Sequence, residues 1–396
     1  MSEPTRHPRV ALMCDYIIGG GAENSVDALA TGLAERGMRP VICATRLDDN
    51  AWEPDDAAVR LAGTGARVVH LDRTGRFDLA PFQRLVRILR EERVDILHTH
   101  KISSNVWGPV ISRLAGVPIF IATEHSWSYE GQPMRKFLDG RFIGPLSSAF
   151  VAVSELDARR MRSIEHVPAR KIRVIPTALS PRFEVTDPQA LRRELGVDAD
   201  TPLVGTMCTI SQPKALEVLV EAFSVVASDH PDALLVIAGQ GNRQPFVEQR
   251  ARELGVADRT RFLGWRTDGG DVLAALDVFA ISSDREGTPL ALIEAMSAGT
   301  AVVSTSVGGI PDVVPHGEAV LVPPREPELL GREISRLLGD PAERERLTEI
   351  ARARVTDNYE HDTAIDRWCR LYDELMESAR RPWLSVPRRR ERSATG

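Results

Sequence analysis

Two glutamates, Glu286 and Glu294, lie eight positions apart in the stretch SDREGTPLALIEAMSAGTAVVSTSVGG, which runs from Ser283 to Gly309. Thr288 is a helix-capping residue type, Pro289 suits a first helical position and Gly299 suits a stop after Ala298, so a helix is expected from Pro289 to Ala298. Its first turn carries no acid. The free N–H groups there hold a partial positive charge of roughly half a unit, suited to phosphate. Glu286 is then expected in the loop at the helix mouth and Glu294 about one and a half turns inside, where a carboxylate accepts hydrogen bonds from hydroxyls such as those of a ribose. The spacing fits a ligand with hydroxyl-bearing parts at two ends and phosphate between. An ordinary solvated glutamate at each position is the competing reading.

Three further features point to the same kind of ligand. Gly19, Gly20 and Gly21 in IIGGGAEN fall between a first strand and a first helix, where a missing Cβ lets backbone N–H groups approach phosphate. The dinucleotide fingerprint needs a glycine where Asn24 stands, so a dehydrogenase is disfavoured, and a plain tight turn is the alternative. Lys214 in SQPKALEVLVEAF stands at the start of a helix and offers a point charge to a pyrophosphate, or is simply a surface lysine. His98, His100 and His125 close the runs VDILHTH and IFIATEH, at the strand ends that face a crevice in open α/β sheets. His98 and His100 are expected to alternate across their strand, so that at most one points at a given site. A satisfied core or loop histidine competes at each position.

The elements that must position these residues are legible as two series. RVALMCDYI, ENSVDALATGLAERG, RPVICATR, ARVVHLD, LAPFQRLVRILREER and VDILHTH alternate strand with helix, and the order restarts near Pro202 with PLVGTMC, LEVLVEAFSVVASDHP and ALLVIAG. Such alternation implies parallel sheets covered by helices. At 396 residues the chain suits two domains with a cleft between. Pro176 to Phe183 reads as the hinge, HDTAIDRWCRLYDELMESARR as a long amphipathic helix, and the basic tail that follows as flexible. The expected division is 1–178, 179–358, a crossing helix over 359–380 and a tail over 381–396. A net charge of −6 argues against a nucleic-acid binder. Cys14, Cys43, Cys208 and Cys369 lack metal-type spacing and read as reduced thiols of a cytoplasmic protein, and no apolar run is long enough to span a membrane.

Taken together, GGGAENSVDALATGLAERG, VDILHTH, AGVPIFIATEH, VAVSE, KIRVIP, VLVEAF, LLVIAGQG, RTRFLGW and above all EGTPLALIEAMSAGTAVVSTSVGGIPDVV resemble the retaining GT-B glycosyltransferases of family 4, the glycosyl transferases group 1 type. The resemblance covers nearly the whole chain and implies two facing Rossmann-like domains, the first for the acceptor and the second for a nucleotide-sugar, with the last helix crossing back to the first domain. It makes Glu286 and Glu294 the family's E-x7-E pair, on donor-sugar and ribose hydroxyls respectively. Backbone N–H groups of Gly287, Thr288 and Leu290 are assigned to sugar or phosphates, and Gly20 and Gly21 to the donor phosphate from the other domain. His125 falls near the transferred sugar. His125, Glu286 and Lys214 are the implied catalytic set, with Asp15, Glu23 and His100 as acceptor-side neighbours. The resemblance implies retention of configuration and no bound metal or other cofactor, the leaving phosphate helping to deprotonate the acceptor.

One departure bears on activity. The family's GRLSPQKG aligns with CTISQPKA, so Lys214 is kept while Thr209 stands where an arginine is usual, and a hydroxyl cannot replace that charge. Lys171 or Arg243 are the alternative sources of a cation. The first reading is therefore a transferase using a nucleoside-diphosphate sugar, UDP-linked by frequency in the family, on a sugar, lipid-linked or small-molecule acceptor. The second is a catalytically weakened relative acting as a binding or regulatory subunit; a sugar-nucleotide epimerase is the third. Arg135, Lys136 and Arg141, set among aromatics between Ser126 and Gly144, raise a further expectation of peripheral contact with an anionic membrane at its inner face.

Overall fold

The computed structural model describes residues 7–17, 21–46, 61–73, 75, 78–125 and 133–380. Its short apolar runs form strands because their residues are buried on both faces, as parallel strands covered by helices must be. Val10–Cys14 (β1) and Leu234–Ala238 (β9) are buried throughout. Alternation along β1 divides the core in two. Val10, Leu12 and Cys14 pack with Val26, Leu29 and Leu33 of the helix Gly21–Glu35, while Ala11 and Met13 pack on the other face with Leu85, Leu89 and Ile111.

Among the described residues the first sheet contains β1, Val41–Ala44 (β2), Arg67–His70 (β3), Ile96–His100 (β4), Ile119–Glu124 (β5), Ala149–Ala152 (β6) and Ile172–Val174 (β7), in the order β3-β2-β1-β4-β5-β6-β7. The second contains Leu203–Met207 (β8), β9, Thr260–Gly264 (β10), Val278–Ile281 (β11), Ala301–Thr305 (β12) and Val320–Val322 (β13), in the order β10-β9-β8-β11-β12-β13. Among the described residues the strand pairings within both sheets are parallel, for example Val10 with Ile96 and Val278 with Val204. The order of each sheet reverses once, between β1 and β4 and between β8 and β11. Strand ends separate there, and a crevice opens at their carboxyl edge. The expected α/β architecture of two Rossmann-like sheets is thus present.

The chain crosses between the two halves twice. The first crossing follows β7, and Leu179 donates its N–H to the carbonyl of Tyr359 on the second crossing at 2.8 Å. The last described helix, His361–Arg380, lies on the first sheet's helices: Ile365, Trp368, Leu371, Tyr372 and Leu375 form one apolar stripe in the same core as Leu12 and Leu29. Close approach depends on Gly32, where an added Cβ would fall 2.4 Å from Ile365 Cγ1. At the rim, Arg36 pairs with Asp362 and Asp366 at 3.1 and 2.7 Å. The expected crossing helix is present. The basic tail over 381–396 lies outside the described residues.

Because Trp368 is only 8% exposed within this core, Trp368→Ala should remove about 3–5 kcal/mol from the first half of the molecule. Thermal unfolding followed by near-ultraviolet circular dichroism checks this, with the second half's transition changing less.

Candidate active site

On the second sheet, the loop after β11 brings together residues that are far apart in sequence. Lys214 Nζ donates to both carboxylate oxygens of Glu286, at 2.7 and 2.9 Å, and Ser283 Oγ donates to the same carboxylate at 2.6 Å. Ser282 Oγ donates to the carbonyls of Lys214 and Ala215, and Asp284 N to that of Pro213, so the Lys214 turn is held against the end of β11. Ala215 has a left-handed backbone, φ 47, which ends that turn and starts the helix Leu216–Asp229. From behind, Gly308 and Gly309 support the Glu286 loop. A Cβ on Gly308 would lie 1.8 Å from the Glu286 carbonyl oxygen, and Gly309 N donates to the Gly287 carbonyl at 2.9 Å. A side chain at Gly308 would therefore move Glu286.

The helix beyond this loop runs Leu290–Ala298, with Gly299 in the left-handed stop conformation expected of it. Its start differs from expectation. Pro289 holds the capping position, and Thr288 turns its hydroxyl away to donate to the carbonyl of Val153 in the other half, at 3.3 Å. Contact across the cleft outcompetes capping, and the helix mouth is left without a side-chain cap. The N–H groups of Gly287, Thr288 and Leu290 donate to no described residue. Glu294 is the fifth residue of the helix and makes no hydrogen bond or ion pair with a described residue. Burial pushes its carboxyl up to about 7. An unpaired carboxylate in this position can be stabilised by hydroxyl donors from a ligand.

On the first sheet, the carboxyl ends of β1, β4 and β5 gather the residues expected on the acceptor side. Asp15 accepts from Thr45 Oγ1 at 2.9 Å and from Ser103 Oγ. Glu23 is paired with Lys101, and its second carboxylate oxygen is buried without a partner. His100 Nδ1 and His125 Nε2 are 2.9 Å apart. His98 and His100 do not alternate: their rings lie against each other with centroids 4.1 Å apart and planes tilted by 34°, because residues two apart on a strand share a face. His98 is committed to Tyr372 Oη at 2.9 Å and Thr123 Oγ1 at 2.7 Å. Burial lowers His98 and His125 to about 3, the Lys101 charge adding to burial at His125 and a neighbouring histidine to it at His98; His100 falls well below its ordinary value for the same first reason. All three rings are therefore neutral at neutral pH. Gly21 opens the first helix, while Gly19 and Gly20 lie outside the described residues.

The two groups face each other. One cavity is lined by Ser25, His100, Thr123, His125, Val153 and Thr177, another by Cys208, Lys214, Ser283, Glu286 and Pro289, and the Thr288–Val153 bond lies between them. Thr209, which follows Cys208 in the chain, is exposed. Neither alternative cation is free to replace the missing arginine: Lys171 donates to the Ser147 carbonyl at 2.6 Å, and Arg243 pairs with Glu217 while covering the Phe246 ring. Arg285, beside Glu286, is exposed and makes no ion pair with a described residue. Among the described residues, no three His, Cys, Asp or Glu side chains are placed to hold a metal ion. Sequence reasoning had not singled out Ser282, Ser283, Lys101 or Tyr372. The two serines sit in or beside the quoted loop and were open to notice, whereas Tyr372 and Lys101 carry no local signal.

Comparison with known proteins agrees with this architecture. Residues 19–183 match the model for Glycosyltransferase Family 4 and residues 187–354 that for Glycosyl transferases group 1. The chain belongs to this family of GT-B glycosyltransferases. Among its relatives are an uncharacterized glycosyltransferase of Methanocaldococcus jannaschii, 25% identical over 91% of this chain and 96% of the relative, and N-acetyl-alpha-D-glucosaminyl L-malate synthase of Bacillus anthracis, 24% identical over 76% and 80%. The fold is shared with the Anabaena protein HepE, solved in complex with UDP-glucose, at a TM-score of 0.79 and 21% identity over 93% of this chain and all of that one.

The raised carboxyl of Glu294 has a measurable consequence. The folded protein keeps this proton up to about pH 7, whereas the unfolded chain releases it near the ordinary value of 4.5, so rising pH across that window removes stability. Glu294→Gln should melt higher than the wild type above pH 7, with the difference vanishing below about pH 4.5. Melting temperatures of both proteins across that range check it.

Proposed function

We propose that the protein transfers a sugar from a UDP-sugar to an acceptor hydroxyl, with retention of configuration and without a metal ion. The observation that carries this reading is the bidentate Lys214–Glu286 pair at the mouth of an uncapped helix that also bears the unpaired Glu294. The lysine and glutamate satisfy each other, which avoids an isolated buried charge. A donor that places phosphate beside Lys214 and sugar hydroxyls beside Glu286 separates the pair while leaving neither charge unpaired. Ribose hydroxyls donating to Glu294 favour its ionised form, so nucleotide binding near pH 7 releases a proton.

As the sugar–phosphate bond breaks, charge gathers on the leaving phosphate. Lys214 and the open N–H groups around Leu290 are fixed dipoles and charge aimed at that position, and stabilising developing charge is their contribution. The neutral His125, which lines the cavity of the first sheet, orients the sugar by hydrogen bonding. The acceptor enters over Asp15 and Glu23, and its proton passes to the leaving phosphate oxygen. Uridine as the base is supported by the UDP complexes of HepE. The protein is read as cytoplasmic. No helix among the described residues is long and apolar enough to cross a membrane. Peripheral attachment would use the face bearing exposed Met134, Phe137 and Arg141, since Arg135 is taken by the buried Glu124 at 3.0 Å.

Melting temperatures in UDP, GDP, ADP and their sugar conjugates test the donor. A ligand at about a hundred times its dissociation constant adds roughly 2.7 kcal/mol of stability. UDP and a UDP-sugar should stabilise the wild type, and Glu294→Ala should lose the response. Thr209→Arg, at an exposed position, should tighten nucleotide binding and raise kcat/KM at least ~10-fold by supplying a second cation to the pyrophosphate. Nucleotide binding without sugar transfer in both proteins would instead favour a binding or regulatory subunit.

A further inference from the structure

The His100–His125 bond joins two neutral imidazoles, so one ring donates a proton and the other accepts it. Two arrangements are chemically available, and they differ at atoms remote from the bond. If His125 Nε2 donates, His100 must carry its own proton on Nε2. That atom is buried and has no partner, so an N–H group would be stranded there. If His100 Nδ1 donates, His100 Nε2 is a bare acceptor instead. Buried N–H groups are left orphaned more rarely than acceptors. His100 also cannot turn to find a partner, because the His98 ring lies against it at 4.1 Å and is itself held by Tyr372 and Thr123.

We propose that His100 is a positioning residue that fixes the tautomer of His125, donating from Nδ1 so that His125 keeps its proton on Nδ1. That nitrogen bonds no described residue, and His125 lines a cavity together with Ser25, Val153 and Thr177. His125 therefore presents an N–H to the cleft and acts on the bound sugar as a hydrogen-bond donor, never as a proton acceptor. Tyr372 extends the arrangement to the crossing helix: the helix holds His98, His98 backs His100, and His100 sets His125. The consequence for sugar transfer rests on the transferase reading above, while the position of the proton does not.

Nitrogen-15 chemical shifts of histidine-labelled protein, assigned with a His125 variant, read the tautomer directly and need no substrate. The expected result is a protonated Nδ1 and a bare Nε2 at His125. The reverse pattern overturns the proposal. His100→Asn replaces the Nδ1 donor by an amide N–H and should keep the His125 pattern, whereas His100→Asp can only accept and should move the His125 proton to Nε2. The same His125 pattern in wild type and both variants also overturns it. If His100→Asp does not fold, wild type and His100→Asn still decide the matter. Where transfer is measured, kcat should fall at least ~10-fold more in His100→Asp than in His100→Asn, with donor KM changing far less. Absence of transfer in the wild type removes the transferase reading and leaves the nitrogen result standing.

Discussion

A parallel strand covered on both faces can show its chemistry only at its end. Both sheets obey this constraint, and the location of the candidate site follows from it. β1, β8, β9 and β11 are almost wholly apolar, and the residues able to bind or react come immediately after a strand: Asp15 after β1, His125 after β5, Ser282 and Ser283 after β11. β4 departs from this by carrying His98 and His100 within the strand. Polar side chains buried there need partners, and they find them in Tyr372, Thr123 and His125. The histidines inside β4 therefore form a network, while residues beyond the strand ends are left to meet a ligand.

The two halves contribute differently to the cleft. The second sheet supplies groups suited to a phosphorylated sugar: an uncapped helix, a lysine held by a glutamate and a carboxylate waiting for hydroxyl donors. The first sheet supplies buried carboxylates balanced by Lys101, Thr45 and Ser103, and neutral histidines. Neither half is complete alone. The bond from Thr288 to Val153 and that from Leu156 N to Asp312 at 2.6 Å run directly between them, so the halves meet through polar contacts that water can replace when they part. Thr209 stands exposed where the family pattern that the sequence resembles has an arginine.

Much of this was legible in the sequence, for physical reasons that can be stated. Strand runs such as LLVIA are unbroken because both faces are buried, and Gly299 ends its helix because only glycine takes that backbone conformation easily. The Glu286–Glu294 spacing was readable for the same reason, since one helix start fixes both. What failed was tertiary. Thr288 has the side chain of a cap, and only the other half of the molecule shows why it does not act as one. The relation of His98 to His100 was misjudged through strand periodicity, which puts them on one face. The pairing of Lys214 with Glu286 joins positions 72 residues apart, and the partnership of His98 with Tyr372 spans 274. Such links leave no local pattern.

The double crossing of the chain has a mechanical meaning. Two bodies joined by a single strand can tilt, twist and swing about many axes. Here the joints pass side by side and are bonded to each other through Leu179 and Tyr359. That geometry behaves as a door on a pair of adjoining hinges: swinging is easy, while rotation of one leaf in its own plane strains both joints. A swing about such paired joints would return the same two faces to each other.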